Sequence, residues 1–306
     1  MKYGIHFGHW GSFYDMQDME NIQYSIDAYA GYKKHSLRVK ADVFEFFPTQ
    51  AMMDADKEKI EDLKKMLAEM EIEPVFTFGY PQGWDILSEE EEISQKAIQY
   101  LQKAIKGIGL LGGKQIGGIV YGNWPADYTR NPIEPEEKKR KTQRCIQVMK
   151  QVVRTAEAWD VTVNLEIVNR FEHFLINTVK EGKYICDEVD SRYCKLLLDC
   201  FHMNIEEDDI PEAIQSAKGY IGHFHVSEPN RKVPNRCSHV DWTGIGKALK
   251  DTEYDGTVVL EPFYKFGGLQ GHNMRMWRDL DEDLSIENRV KLAREGIGYI
   301  KEKFGG

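Results

Sequence analysis

Eight times along the chain a short apolar run leads into an amphipathic segment, and no other feature restricts the fold as much. The runs are Lys2–Phe7, Leu37–Val39, Pro74–Phe78, Gln115–Tyr121, Thr162–Ile167, Lys195–Leu198, Tyr220–His225 and Thr257–Leu260. Each has the length and character of a strand buried on both faces. Helical spacing fills the intervals at Asn21–Lys33, Asp54–Glu69, Glu89–Leu110, Pro135–Trp159, Thr178–Val189, Pro211–Ala217 and Trp242–Lys250, and Ile286–Phe304 closes the chain. In Asp54–Glu69, Ile60, Leu63, Met66 and Leu67 make one apolar stripe, and acids occupy the first turn. Unbroken alternation of this kind predicts a parallel sheet under helical cover. Eight units point to an α/β fold, a (β/α)8 TIM barrel, read as a single domain over residues 1–306 with extended loops near 80–88 and 266–285. The competing arrangement is an open doubly wound sheet. Its glycine-rich first turn is missing: "IGLLGGKQIGG" lacks the G-x-G-x-x-G spacing and follows a helix.

Composition narrows the function classes. The 306 residues are 42% hydrophobic and 29% charged, with 40 basic against 50 acidic side chains and a net charge of -10. No basic block dominates, which argues against a general nucleic-acid binder. No run approaches the roughly 18 apolar residues of a membrane span, and "MKYGIHFGHW" lacks the apolar core of a signal peptide. Cys145, Cys186, Cys194, Cys200 and Cys237 include no C-x-x-C pair and read as reduced thiols of a cytoplasmic protein.

The last four strands end in residues that do not belong at the mouth of a core. Glu166 ends "VTVNLE", Asp199 ends "KLLLD", His225 ends "GYIGHFH" and Glu261 ends "TVVLE". Each follows the last by about one βα unit, roughly 30 residues. In a barrel the C-terminal ends of the strands share one rim, where active sites sit. Singly, each residue has an ordinary reading: an acid after a strand is often a helix N-cap, and a histidine, whether His225 or its neighbour His223, often simply packs. Together, three carboxylates and an imidazole cannot converge unpaired without large shifts in their pKa values. A divalent cation resolves the conflict. An oxygen-rich set with one nitrogen suits Mn2+ or a similar borderline ion, with Co2+ and Mg2+ also compatible. The acidic run Glu206–Asp209 reads as a solvated loop without chemistry.

At this point the text resembles a known family. "LEIVNRFEHFLINT" (Leu165–Thr178), "LLLDCFHMNIEED" (Leu196–Asp208), "GHFHVSEPNRKVP" (Gly222–Pro234) and "VVLEPF" (Val258–Phe263) are similar to the ketose 3-epimerases, the D-tagatose and D-psicose (D-allulose) 3-epimerase group of the sugar phosphate isomerase/epimerase-like TIM barrels. "NWPADYT" (Asn123–Thr129) and "MWRDL" (Met276–Leu280) resemble further family segments. The resemblance implies a metal held by Glu166, Asp199, His225 and Glu261. It implies a ketose bound through oxygens flanking its reactive carbon, with Glu166 and Glu261 on opposite faces of C3. One removes the C3 proton to give a cis-enediolate and the other returns a proton from the far side. It further implies that Glu172, His202 and Arg231 hydrogen-bond the sugar, that Trp124 and Phe263 wall the pocket, and that the chain is a homo-oligomer, a dimer or tetramer.

The first half of the chain departs from the family text. "HFGHWGSFYD" places His6 and His9 where the family has tyrosines. The family's second strand ends in glutamate, and alignment of "LRVKADVFEFF" puts Val39 or Lys40 there. "FGYPQGWD" also differs from the family's third-strand loop. These loops would face the far end of the sugar. A second function shares the chemistry: related barrels are catalytic subunits of C-glycoside deglycosidases, in which proton abstraction beside a 3-keto group expels the aglycone, in some cases with a small partner subunit. The aromatic stretches Tyr80–Trp84 and Phe266–Trp277 suit such a guest, a partner subunit or a dimer interface. A non-catalytic sugar-binding module and a multinuclear zinc nuclease fit the residues less well.

Overall fold

A computed structural model describes residues 1–10, 39, 41–126 and 133–305. Eight parallel strands close into a barrel in chain order: β1 (Lys2–His6), β2 (Val43–Phe46), β3 (Glu73–Phe78), β4 (Gln115–Gly118), β5 (Thr162–Ile167), β6 (Cys194–Asp199), β7 (Ile221–Val226) and β8 (Thr257–Leu260), which returns to pair with β1. The fold is a TIM barrel, as the alternation predicts. Its helical cover includes Lys57–Glu69, Glu91–Leu111, Pro135–Trp159, Val179–Val189, Trp242–Asp251 and Ile286–Lys303. Local signals set their ends. Asp56 accepts from the Lys59 amide at the start of one helix, and Thr178 and Glu181 form a reciprocal capping box at the start of another.

The interior follows from the two-residue period of a strand. Outward side chains such as Phe44, Phe46, Phe76 and Phe224 are fully buried under the helices. Inward, Val43, Val75 and Val259 form a small apolar plug separate from the main core. Above and beside it the inward face is polar. Asn164 precedes Glu166 by two residues and His223 precedes His225 by two, so both pairs share the lumen side. Paired registers such as Asp199↔His225 and Gly117↔Asn164 keep these residues level around the barrel.

The second strand differs from its sequence-based prediction. It is Val43–Phe46, not Leu37–Val39; of the latter only Val39 is described, and it lies outside any strand. Lys40 and the Asn21–Lys33 helix lie outside the described residues. The physical reason is length of burial: all four residues of Val43–Phe46 are buried and Glu45 stands level with His6 of β1. The fourth strand is also shorter than expected, stopping at Gly118, where a left-handed backbone (φ 110°) turns the chain out of the sheet. Helices Gln50–Met53, Cys200–Glu206 and Gly268–Asn273 were not anticipated.

The two aromatic stretches behave differently. Tyr80 donates its hydroxyl to the Val120 carbonyl (2.7 Å), and Trp84 packs edge-on against Tyr100 (5.3 Å), so Tyr80–Trp84 is stitched onto the barrel. Phe266 and Trp277 are 49% and 62% exposed. No helix among the described residues is long and apolar enough to cross a membrane. Cys145, Cys186, Cys194 and Cys200 are buried free thiols and Cys237 is an exposed one.

Candidate active site

The four strand-end residues meet. One donor atom from each of Glu166, Asp199, His225 and Glu261 lies within 4.8 Å of all the others, and all four residues are buried. Glu166, Asp199 and His225 project from β5, β6 and β7, and Glu261 follows β8 directly. Asp199 also serves as the N-cap its position suggests, its Oδ1 accepting from the Phe201 amide (2.8 Å). The ordinary and the chemical reading of this residue therefore hold together: one oxygen caps the helix and the other, Oδ2, faces the cluster.

Arg231 is the main positive charge in the group. Its Nη1 donates to Asp199 Oδ2 (2.9 Å) and to Glu261 Oε2 (2.7 Å). The guanidinium lies 3.7 Å over the Phe201 ring, a cation–π seat that suits a desolvated arginine. Arg231 has a left-handed backbone (φ 63°) and is 6% exposed, so the turn after β7 delivers its side chain inward rather than to solvent. The Phe263 amide donates to its carbonyl (2.9 Å), tying this turn to the segment after β8.

The two glutamates are electrostatically unequal. Burial pushes the Glu166 carboxyl up, the charge of Glu261 adds to that, and His202 opposes it only in part. Burial also pushes Glu261 up, but Arg231 and His225 outweigh it and hold this carboxyl well below the usual range. Burial lowers the basicity of His225, yet Glu45 and Glu261 reverse the sign and raise it well above an ordinary imidazole.

The remaining residues singled out in the sequence surround this cluster. His202 is buried in the first turn of Cys200–Glu206. Its Nδ1 takes the Asn169 amide (3.1 Å), which turns Nε2 toward Glu166 Oε1 (3.5 Å) and Asp199 Oδ2 (3.6 Å). Glu172 accepts from the Trp124 indole (2.8 Å) and the Asn169 side chain (3.1 Å), so Glu172 and Trp124 form one unit at the edge of the site. The Phe263 ring stands edge-on to His6 (5.8 Å) and over Gly8, where an added Cβ would lie 2.3 Å from the ring. The segment Asp127–Thr129 of "NWPADYT" lies outside the described residues.

Three further contributors are not among the site residues predicted from the sequence. Glu45, on β2, is fully buried and its Oε2 accepts from His225 Nε2 (2.8 Å) and His223 Nε2 (3.1 Å) across the lumen. Asn169 orients both His202 and Glu172. His6 ends β1 with Nε2 3.8 Å from Glu261 Oε1, and its Nδ1 accepts the Gly8 amide (3.2 Å). A signal for Glu45 did exist, an acid between aromatic residues in "VFEFF". The acidic run also needs correction: Glu206 is not a free loop acid but grips Arg170 through its backbone and guanidinium (2.7, 2.9 and 2.8 Å), and Glu207 accepts from the Val179 amide (2.7 Å). These contacts brace the loop that carries Asn169 and Glu172.

The donor set fits a divalent cation. Three carboxylates converge around a single permanent cation, Arg231, in a buried pocket. His225 Nδ1 is a buried polar atom with no hydrogen-bond partner among the described residues, and it lies 3.7 Å from Glu261 Oε2.

Comparison with known proteins agrees with this architecture. The family model for xylose isomerase-like TIM barrels matches residues 37–303. D-psicose 3-epimerase from Enterocloster bolteae is 32% identical, with 100% of this chain and 96% of the relative covered. D-psicose 3-epimerase from Ruminiclostridium cellulolyticum is 33% identical, with 99% and 98% covered. A crystal structure of D-psicose 3-epimerase in the presence of D-fructose superposes with a TM-score of 0.88 at 27% identity over 100% of both chains. The enzyme from Clostridium cellulolyticum H10 with D-tagatose gives 0.83 at 33% identity over 98% of this chain and 99% of that one. The chain therefore belongs to the xylose isomerase-like TIM-barrel family and, within it, to the ketose 3-epimerases, which are isomerases.

Proposed function

We propose that this protein epimerises a free ketose at C3, of the D-psicose, D-fructose or D-tagatose type, with Glu166 and Glu261 as the two proton-transfer groups and Glu166, Asp199, His225 and Glu261 as ligands of a divalent cation. The observation that carries the reading is the convergence of those four buried donors within 4.8 Å. Mn2+ suits a set of three carboxylates and one imidazole, and Co2+ and Mg2+ are compatible with it. When bound there, the cation polarises the ketone and so acidifies the neighbouring C–H.

The chain's own residues supply the rest. Epimerisation needs one carboxylate to take the C3 proton and a carboxylic acid on the other face to return one. Glu166 comes from β5 and Glu261 directly follows β8, on either side of Asp199 and His225, which supports a reading in which they flank a sugar lying over the cluster. His202 and Arg231 present N–H groups to the oxygens on which negative charge develops, and Glu172 takes sugar hydroxyls while Trp124 holds it in place. Trp124 and Phe263 bound the pocket and exclude water.

The test is direct. Metal-free protein supplied with Mn2+ and D-fructose is expected to produce D-psicose, and chelation is expected to stop it. Failure to convert any free ketohexose or ketopentose, under conditions where a 3-keto-C-glycoside is cleaved, would transfer the same site to the lyase reaction.

A further inference from the structure

We infer that Glu45 is a positioning residue for the cation-binding imidazole: it accepts a hydrogen bond from the Nε2–H of His225 and thereby leaves Nδ1 to face Glu166, Asp199 and Glu261. The inference rests on the metal reading above and adds to it a residue from the opposite side of the barrel.

A histidine has two ring nitrogens, and the partner of one decides what the other can do. His225 Nε2 lies 2.8 Å from Glu45 Oε2, while Nδ1, buried, has no hydrogen-bond partner among the described residues and points toward Glu261. Glu45 is itself held. The same Oε2 accepts from His223 Nε2 (3.1 Å), and His223 Nδ1 accepts from the Thr257 hydroxyl (2.6 Å). Thr257 in turn accepts from Gln115 Nε2 (2.9 Å), and Gln115 Oε1 accepts from Asn164 Nδ2 (3.0 Å). Every donor and acceptor along this path is consistent with its neighbours. Glu45 can only accept, so the His223 proton lies on Nε2, and a neutral His223 then accepts at Nδ1 from the Thr257 hydroxyl, whose lone pairs take the Gln115 amide. A chain of hydrogen bonds thus rises through the lumen from β4 and β5, by way of β8 and β7, to β2, and its end fixes one ring of the proposed cation site. Glu45, His223 and His225 also form a cluster of three donors that resembles a second cation site. The separations of 2.8 and 3.1 Å are those of hydrogen bonds, and the second nitrogen of each histidine is directed elsewhere, so the cluster reads as a support rather than a ligand set.

Calorimetric titration of metal-free protein with Mn2+ alone tests this. The wild type is expected to bind one Mn2+, and Asp199→Asn to bind it much more weakly. If the wild type binds none, or Asp199→Asn binds normally, the metal reading fails and this inference fails with it. Given that baseline, Glu45→Gln is expected to lower Mn2+ affinity about 10- to 100-fold, with turnover recovering at saturating Mn2+ and the sugar KM unchanged. Wild-type Mn2+ affinity in Glu45→Gln overturns the inference, as does a wild-type stoichiometry of two that falls to one in that variant. Thr257→Val removes the hydroxyl that orients His223 while sparing the carboxylate, and it carries the test if Glu45→Gln does not fold. It is expected to weaken Mn2+ binding by a smaller factor, and an unchanged affinity overturns the inference.

Discussion

The two halves of the barrel rim are built from different chemistry. β5 to β8 bring Glu166, Asp199, His225 and Glu261 to one point, with His202 and Arg231 beside them. β1 and β2 bring His6 and Glu45, with aromatic neighbours such as Phe7 and Phe47, whose rings lie 5.0 Å apart. In the first group acids face one another and an arginine, an arrangement that stays costly until a cation and a substrate complete it. In the second group the single acid accepts from two histidines through Oε2, while its buried Oε1 has no hydrogen-bond partner among the described residues. The difference teaches that charge for the reaction is concentrated on one side, while the other side supports and shapes.

The sharpest way to break this comparison is at the glutamates. Glu166→Gln and Glu261→Gln each remove one of the two proposed proton-transfer groups, and turnover is expected to fall about 10^2- to 10^4-fold or more. Steady-state rates with Mn2+ held saturating measure this, and near-normal rates in both variants would remove the two-carboxylate mechanism.

A second prediction uses one buried histidine from each half. Burial pushes the pKa of His9, beside β1, and of His173, in the loop after β5, down to about 3. Both are neutral in the folded chain, whereas in the unfolded chain they titrate near 6.5. Below that pH the unfolded state binds protons that the folded state refuses. Stability from these groups is complete above pH 6.5 and declines as pH falls toward 3, by about 1.4 kcal/mol per pH unit for each. Urea unfolding across this range measures the slope, and His173→Gln is expected to make it shallower. An unchanged slope in that variant would show that His173 is not a neutral, buried group.

The smallest effect is expected at His6. His6→Phe keeps a ring against Phe7 and Phe263 but removes Nε2 from the neighbourhood of Glu261. The sugar KM is expected to change by less than about tenfold, a single hydrogen bond's worth, with Mn2+ affinity unaltered. A collapse of kcat at saturating Mn2+ would move His6 into the reacting half.

Much of the reacting half was legible because it violates burial rules. A run such as Lys195–Leu198 has no reason to end in Asp199 unless something meets the charge, and the same logic exposed Glu166, His225 and Glu261. Barrel periodicity then brought them together on paper as it does in space. The supporting half was hidden for a geometric reason. Glu45 lies within a strand, not at the end of an apolar run, and its partners are on β7, reached only when the sheet closes. A second strand at Leu37–Val39 would leave this acid in a loop. Arg231 was visible as a residue but not as a bridge between Asp199 and Glu261, because its inward course depends on a left-handed turn residue that is not glycine. Glu206 was misread as solvated because its partner, Arg170, sits on another loop.

The central claim is that protons are exchanged at C3, and one measurement addresses it most directly. D-fructose is incubated in D2O with the Mn2+-loaded protein, and recovered D-psicose is read by proton and carbon NMR. The account predicts one deuterium at C3 of the product and none at the other carbons. D-psicose with protium at C3, or deuterium placed at C1 instead, would contradict it.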